Sequence, residues 1–201
     1  MRIYSPDGGR LYLNKSERLS FLSAANSQTP IDRMFCQLLH YTGARPTEAL
    51  ELTYDRVNID KCEIILRSLK KRKTDNQGRI KQPHYRSLIV PKSFIESFDL
   101  VFNVRGKKNT KGVLFFDRCR TSYYRMIKDV MKQADVKGKM ATGKGLRHGF
   151  AVAMITAKEP MPLHILSKAM GHYDSKVTEV YLQVVEEEKT EIFNNAWSSQ
   201  E

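Results

Sequence analysis

Cys62-Glu63-Ile64-Ile65-Leu66-Arg67, answered after a polar segment by Tyr85-Arg86-Ser87-Leu88-Ile89-Val90, decides what kind of fold this chain can adopt. Both runs are β-prone and bounded by turn formers, which marks short strands. A further run, Arg56-Val57-Asn58-Ile59, precedes them across the turn Asp60-Lys61. Runs this close in sequence predict a small three-stranded antiparallel sheet. Between the last two lie Lys70, Lys71, Arg72, Lys73, Arg79 and Lys81, so the final hairpin carries a basic tip. Such a tip is either a solvated loop or a contact for a polyanion.

Outward from the sheet the chain reads as helical. Residues 1–13 form a lead-in with a turn at Pro6-Asp7-Gly8-Gly9. Asn14 can cap a helix, with Glu17 at the capping-box position and Leu19, Phe21, Leu22 and Ala25 on the buried side. Thr29-Pro30 opens a second helix, whose core face is Met34, Phe35, Leu38 and Leu39 and whose stop is Thr42-Gly43. Pro46 opens a third. Beyond the sheet, helices are expected over 91–98, 120–134, 147–157, 162–170 and 177–184. In the second of these, Tyr123, Ile127, Val130, Met131 and Ala134 fall on one face. Residues 104–113, with Lys107 and Lys108, read as a mobile basic loop, and 135–144 as another basic loop. The fold class expected is α+β: a mostly helical single domain with a small antiparallel sheet. Its parts are a lead-in (1–13), one domain (14–184) and a weakly amphipathic tail (185–201) bearing Ile192, Phe193 and Trp197.

Composition narrows the partners. Lysine and arginine number 34 against 22 acids, a net charge of +12, which favours nucleic acid before an anionic membrane surface. The apolar stretches are too short to span a bilayer. The three cysteines, Cys36, Cys62 and Cys119, are scattered and form no CxxC pair, so neither a zinc site nor a disulfide framework is indicated. A reducing cytosol fits this usage.

Two arginines, a histidine and a tyrosine stand out: Arg45, Arg147, His172 and Tyr181. Each alone has a structural explanation. Arg45 could pair with Glu48 or Glu51, His172 could cap a helix end, and a tyrosine among valines is commonly packed. Together they are what phosphoryl transfer onto a tyrosine hydroxyl needs. Arginine forks hold the non-bridging oxygens as charge builds, and a lysine can protonate the leaving oxygen.

Thr42-Gly43-Ala44-Arg45-Pro46-Thr47-Glu48-Ala49-Leu50 resembles the first-arginine box of the tyrosine recombinases, the phage integrase family. Gly145-Leu146-Arg147-His148-Gly149-Phe150-Ala151 resembles the second-arginine box, and Met170-Gly171-His172 followed by Tyr181 resembles the closing box. The resemblance runs from about residue 30 to 184. It implies site-specific recombination of double-stranded DNA with no cofactor or metal. Tyr181 would be the nucleophile forming a 3′-phosphotyrosine, Arg45 and Arg147 the phosphate clamp, and His172 a further donor. Glu48 would position the cluster, and His148 would be structural, packed beside Arg147. The family's hairpin lysine, the general acid, falls at Lys70, with Lys71 and Lys73 as alternatives because the register is open. Lys71, Arg72, Lys73, Arg79, Lys81, Lys107 and Lys108 would contact DNA.

Tyr181 is expected not to be fully buried, since its hydroxyl must reach the phosphate. Its helix should be marginal, mobile without DNA and ordered with it. Where the family usually has a histidine before the second arginine, this chain has Lys144, which leaves the proton acceptor open. Most members also carry a core-binding domain ahead of the catalytic one, whereas about 13 residues precede the first helix here. The chain thus resembles the short fimbrial-switch type or a catalytic domain cut from a longer protein. Strand exchange implies a homo-oligomer on DNA, dimer to tetramer, with accessory DNA-bending proteins among the partners such systems use. The tail either docks on a neighbouring protomer or packs on its own domain. The rivals are a topoisomerase that also forms 3′-phosphotyrosine and a DNA-binding regulator that keeps the fold without strand transfer.

Overall fold

A computed structural model describes residues 2–69, 82–107, 110–172, 174, 176–183, 193, 194 and 197. Asn14 accepts from the Glu17 amide at 2.9 Å while the Glu17 carboxylate accepts from the Asn14 amide at 2.8 Å. This reciprocal box starts α1 (Lys15–Ala25) where the sequence predicts it. Phe21 and Ala25, one turn apart, point into the core, but Leu19 is 57% exposed. The expectation that all four apolar residues share a face fails at Leu19, which stands about 200° around the helix from Phe21.

Helix α2 (Pro30–Thr42) buries Met34, Phe35, Leu38 and Leu39, as its periodicity predicts. It ends at Gly43, whose φ of 57° closes the helix. A Cβ at Gly43 would lie 2.4 Å from Phe150 Cδ1, so a side chain is excluded by space as well as by backbone. Arg45 then stands immediately ahead of α3 (Pro46–Leu50).

The sheet follows. Strands β1 (Val57–Asn58), β2 (Glu63–Arg67) and β3 (Tyr85–Ile89) pair antiparallel in the order β1-β2-β3. The register sets Val57 and Leu88 against Ile64, and Arg86 against Leu66. Because strand side chains alternate, Ile64, Leu66, Leu88 and Arg86 share the inward face, while Tyr85, Ser87 and Ile89 face out. An arginine thus points into the protein. The Ser68 amide bonds the His84 carbonyl at 2.8 Å, so the pairing continues towards the hairpin tip. Residues 70–81, with every lysine proposed for that tip, lie outside the described residues.

Helices α4 (Lys92–Phe102) and α5 (Arg120–Gln133) complete the larger core with a cluster of aromatic rings. The first is a turn longer than predicted. Tyr123, Ile127, Val130 and Met131 are buried as expected, and Met126 joins them. Within the predicted basic loop, Arg105 pairs with Asp99 at 2.7 Å. Exposed Lys107 lies 5.1 Å from the Tyr54 ring centroid, and Lys108 is outside the described residues. Helix α6 (Gly143–Ile155) begins four residues earlier than predicted, because Thr142 caps it by accepting from the Gly145 amide at 3.0 Å. Lys144 therefore belongs to a helix rather than a loop.

Helix α7 (Leu163–Met170) ends at Gly171, and α8 (Lys176–Glu179) passes into a 3₁₀ turn, Val180–Leu182. A second, smaller core joins this end to α6 and the lead-in: Ile3, Tyr12, Phe150, Leu166, Met170 and Tyr181. Among the described residues no helix is long and apolar enough to cross a membrane.

Candidate active site

The site is organised by one carboxylate. Glu48 is 1% exposed on α3. Its Oε1 accepts from Arg45 Nη1 at 2.6 Å, and its Oε2 from the Arg45 amide at 3.0 Å and Arg86 Nη2 at 2.6 Å. Arg147 Nη1 stands 3.9 Å away. Burial pushes the Glu48 carboxyl up, but the Arg86 hydrogen bond, together with the charges of Arg86 and Arg45, outweighs it and leaves the group below its ordinary range. Glu48 therefore stays ionised among the arginines.

Arg147 is buried on α6 and ties two helix ends together. Its Nη1 donates to the Gly43 carbonyl at 2.6 Å and its Nη2 to the Met170 carbonyl. Both carbonyls lie at helix C-termini, where the macrodipole favours a cation. Burial, reinforced by repulsion from Arg45, brings the Arg147 guanidinium down to about 9, so it is still charged at neutral pH. Arg45, with 22% of its side chain exposed, is the more open of the two. A guanidinium has five N–H donors, which leaves Arg147 with donors to spare for an anion.

His172 follows the left-handed Gly171, and its Nδ1 lies 2.8 Å from Thr178 Oγ1. Its ring stacks on Tyr181, centroids 6.4 Å apart and planes within 10°. The Tyr181 hydroxyl is 2.9 Å from His148 Nδ1. Arg45, Arg147, His172 and Tyr181 thus meet through Glu48, Met170 and His148. Lys144 is exposed one turn ahead of His148.

One expectation is overturned here. Tyr181 has no exposed surface. Its ring completes the second core while its hydroxyl turns inward to His148. Burial raises the phenol well above its ordinary value, and Arg147 and Arg45 only partly offset that. Apolar packing of the ring, rather than what the hydroxyl must reach, decides its position in the DNA-free chain.

Arg86 is the residue of this cluster that the sequence reading passed over. Its signal was slight: a lone basic residue at an inward position of a strand, two residues from buried Leu88.

Burial drives His148 down to about 3, with the charges of Lys144 and Arg147 adding to the effect, and burial does the same to His40 in the larger core. Both are neutral in the fold, but in the unfolded chain they would take protons near 6.5. From pH 6.5 down to 3 the unfolded state therefore binds more protons, so stability falls on acidification. The loss is about 1.4 kcal/mol per pH unit for each histidine. Urea midpoints measured between pH 7 and 4 should fall accordingly, with a shallower slope in His40→Phe by about one proton's worth. An unchanged slope would contradict a neutral His40.

The model of the phage integrase family matches residues 10–188. Tyrosine recombinase XerD of Staphylococcus haemolyticus is 27% identical over 172 residues, covering 81% of this chain and 53% of that protein. XerD of Haemophilus influenzae is 23% identical, over 88% of this chain and 59% of its own. The chain thus spans little more than half the length of these relatives. Among solved structures, XerA recombinase superposes with a TM-score of 0.73 at 21% identity, covering 92% of this chain and 64% of that one. XerH site-specific recombinase bound to palindromic difH in a post-cleavage complex gives 0.72 at 18%, over 98% and 57%. At these identities the structures establish the fold.

Proposed function

This chain belongs to the phage integrase family, and from that premise we propose that it recombines duplex DNA at specific sites through a 3′-phosphotyrosine intermediate. The observation that carries this reading is the gathering of Arg45, Arg147, His172 and Tyr181, from four separate segments, around Glu48 and His148. Arg45 and Arg147 hold the scissile phosphate and stabilise the charge that builds on its non-bridging oxygens. His172 donates a further bond. The Tyr181 oxygen attacks phosphorus, the bond to the 5′ oxygen breaks, and Lys70 gives that oxygen a proton. A 5′ hydroxyl from the partner strand reverses the step. In the resting chain the neutral His148 Nδ1 contacts the Tyr181 hydroxyl. That contact is given up as Tyr181 moves to the phosphate, where the phenol proton passes to water, and Lys144 is left to bind the phosphate backbone. Tyr181 must leave its seat in the small core to reach DNA. A four-residue helix and a 3₁₀ turn are a light element to move.

The catalytic domain is residues 14–184. Exposed Phe193 and Trp197 support a tail that docks on a neighbouring protomer in a DNA-bound oligomer, with the protein acting in the cytosol. The basic residues of 70–81, with Lys107 and Lys108, supply DNA-backbone contacts. The test is a set of suicide duplexes, nicked beside candidate sites in the DNA flanking the gene. The protein should form an adduct stable in a denaturing gel, with the DNA on the Tyr181 peptide. Binding without any adduct would instead make it a regulator, and relaxation of supercoils by isolated protomers a topoisomerase.

Lys70→Ala should slow cleavage about a hundredfold or more with little change in binding, because the proton is needed only as the leaving oxygen departs. A 5′-bridging phosphorothiolate, whose sulfur leaves without a proton, should restore the variant. Rescue of Lys73→Ala instead would move the general acid to Lys73.

A further inference from the structure

Arg86 is 5% exposed, and each of its three nitrogens reaches a different element. Nε donates to the Ala169 carbonyl at the end of α7 at 2.8 Å. Nη1 donates to Ser68 Oγ, just past β2, at 3.1 Å, and Nη2 to Glu48 Oε2 on α3 at 2.6 Å. The space around it is tight: a Cβ on Gly171, whose φ is 64°, would lie 3.1 Å from Arg86 Nη1 and 3.0 Å from Ser68 Oγ. Arg86 thus joins the root of the basic hairpin, the carboxylate that holds Arg45, and the segment leading into His172.

Its charge matters as much as its bonds. Arg45, Arg86 and Arg147 surround Glu48, so the cluster carries three positive charges less one, or +2. Glu48 is needed to orient Arg45, but its negative charge opposes an incoming phosphate. Without Arg86 the cluster would fall to +1, with Glu48 drawing on the very cations meant for the phosphate. We infer that Arg86 is a positioning residue that neutralises Glu48, leaving Arg45 and Arg147 free for the scissile phosphate, and locks the hairpin root to the His172 segment. Arg86 itself does not touch DNA.

This inference rests on the recombinase reading, so its test starts from a duplex on which the wild type forms its adduct. Single-turnover cleavage is compared on that duplex and on one whose scissile phosphate is a neutral methylphosphonate. Arg86→Gln removes the charge but keeps a donor. It should bind DNA within about threefold of wild type and cleave the phosphate on the order of a hundredfold more slowly. Its deficit on the methylphosphonate should be smaller by about tenfold or more, because there is less charge to stabilise. A merely structural role would slow both substrates equally, and an equal deficit, or none, overturns the inference. Arg86→Gln with Glu48→Gln leaves Arg45 and Arg147, again +2. It should recover the wild-type ratio of the two rates, and this pair decides the matter if Arg86→Gln alone does not fold. A lowered ratio in the pair also overturns the inference. If the wild type forms no adduct on any duplex, the recombinase reading fails and this inference with it. A wild-type adduct with unchanged ratios removes this inference alone.

Discussion

Tyr181→Phe is expected to fold, to bind DNA with wild-type affinity and to form no covalent adduct. The substitution deletes one oxygen and leaves the ring in the small core against Leu166, Met170 and the flank of α6. It is not free of cost. His148 Nδ1 loses its partner, and among the described residues His148 Nε2 already has none. Leaving a buried polar atom unsatisfied costs about 1–3 kcal/mol, against a total stability of roughly 5–15. The melting temperature should therefore drop by several degrees while the transition stays cooperative. Adduct formation has no such margin, because without the hydroxyl there is no oxygen to attack. The measurement is incubation of both proteins with a nicked suicide duplex, followed by a denaturing gel and peptide mapping. An adduct that persists in the variant would remove Tyr181 as nucleophile. So would one mapping to exposed Tyr124 or to Tyr173, which lies outside the described residues.

The hidden hydroxyl shows where sequence reasoning reaches and where it stops. Helix α2 was legible because period, cap and stop signals agreed, α5 from the period of its apolar face alone, and the strands because short apolar runs alternated with turns. Helix α6 was read short because Gly143 and Gly145 suggested a loop, while the Thr142 cap went unweighted. Arg45, Arg147, His172 and Tyr181 were singled out by their motifs, and local pattern put Arg45 and His172 at the helix ends where they lie but set Arg147 at the start of α6 rather than a turn inside it. Which way a side chain faces is set by long-range packing. The seat of Tyr181 depends on the lead-in residues Ile3 and Tyr12 and on His148, all distant in sequence. Arg86 was missed for the same reason. Its meaning comes from Glu48, 38 positions earlier, and Ala169, 83 positions later. No local pattern predicts that a strand arginine will be drawn inward by a buried carboxylate.

Arg147→Lys should separate the clamp from the scaffold. In the wild type one planar fork spans the Gly43 and Met170 carbonyls while facing the Arg45–Glu48 pair. Lysine keeps the charge, but as a single flexible point donor it cannot satisfy both carbonyls and hold two phosphate oxygens. Under saturating protein, single-turnover cleavage should fall about 10²–10³-fold, the usual loss when a donor to developing negative charge is removed. Affinity should change little, since most DNA contacts would lie on the basic loops. Stability should fall as well, by about 1–3 kcal/mol for a buried carbonyl left without its donor. Arg147→Ala would lose both carbonyl bonds and the charge, and should be the less stable of the two. The two effects can be told apart by Gly43→Ala, which strains the same helix end, and with it the carbonyl that Arg147 bonds, but keeps the guanidinium itself. Its Cβ would meet Phe150 and its φ of 57° disfavours a side chain. If Arg147 clamps the phosphate, Gly43→Ala matched to Arg147→Lys in melting temperature should still cleave at least about tenfold faster. Equal cleavage at equal stability would mean that Arg147 serves only to hold α2 and α7 together, and the phosphate would then rest on Arg45.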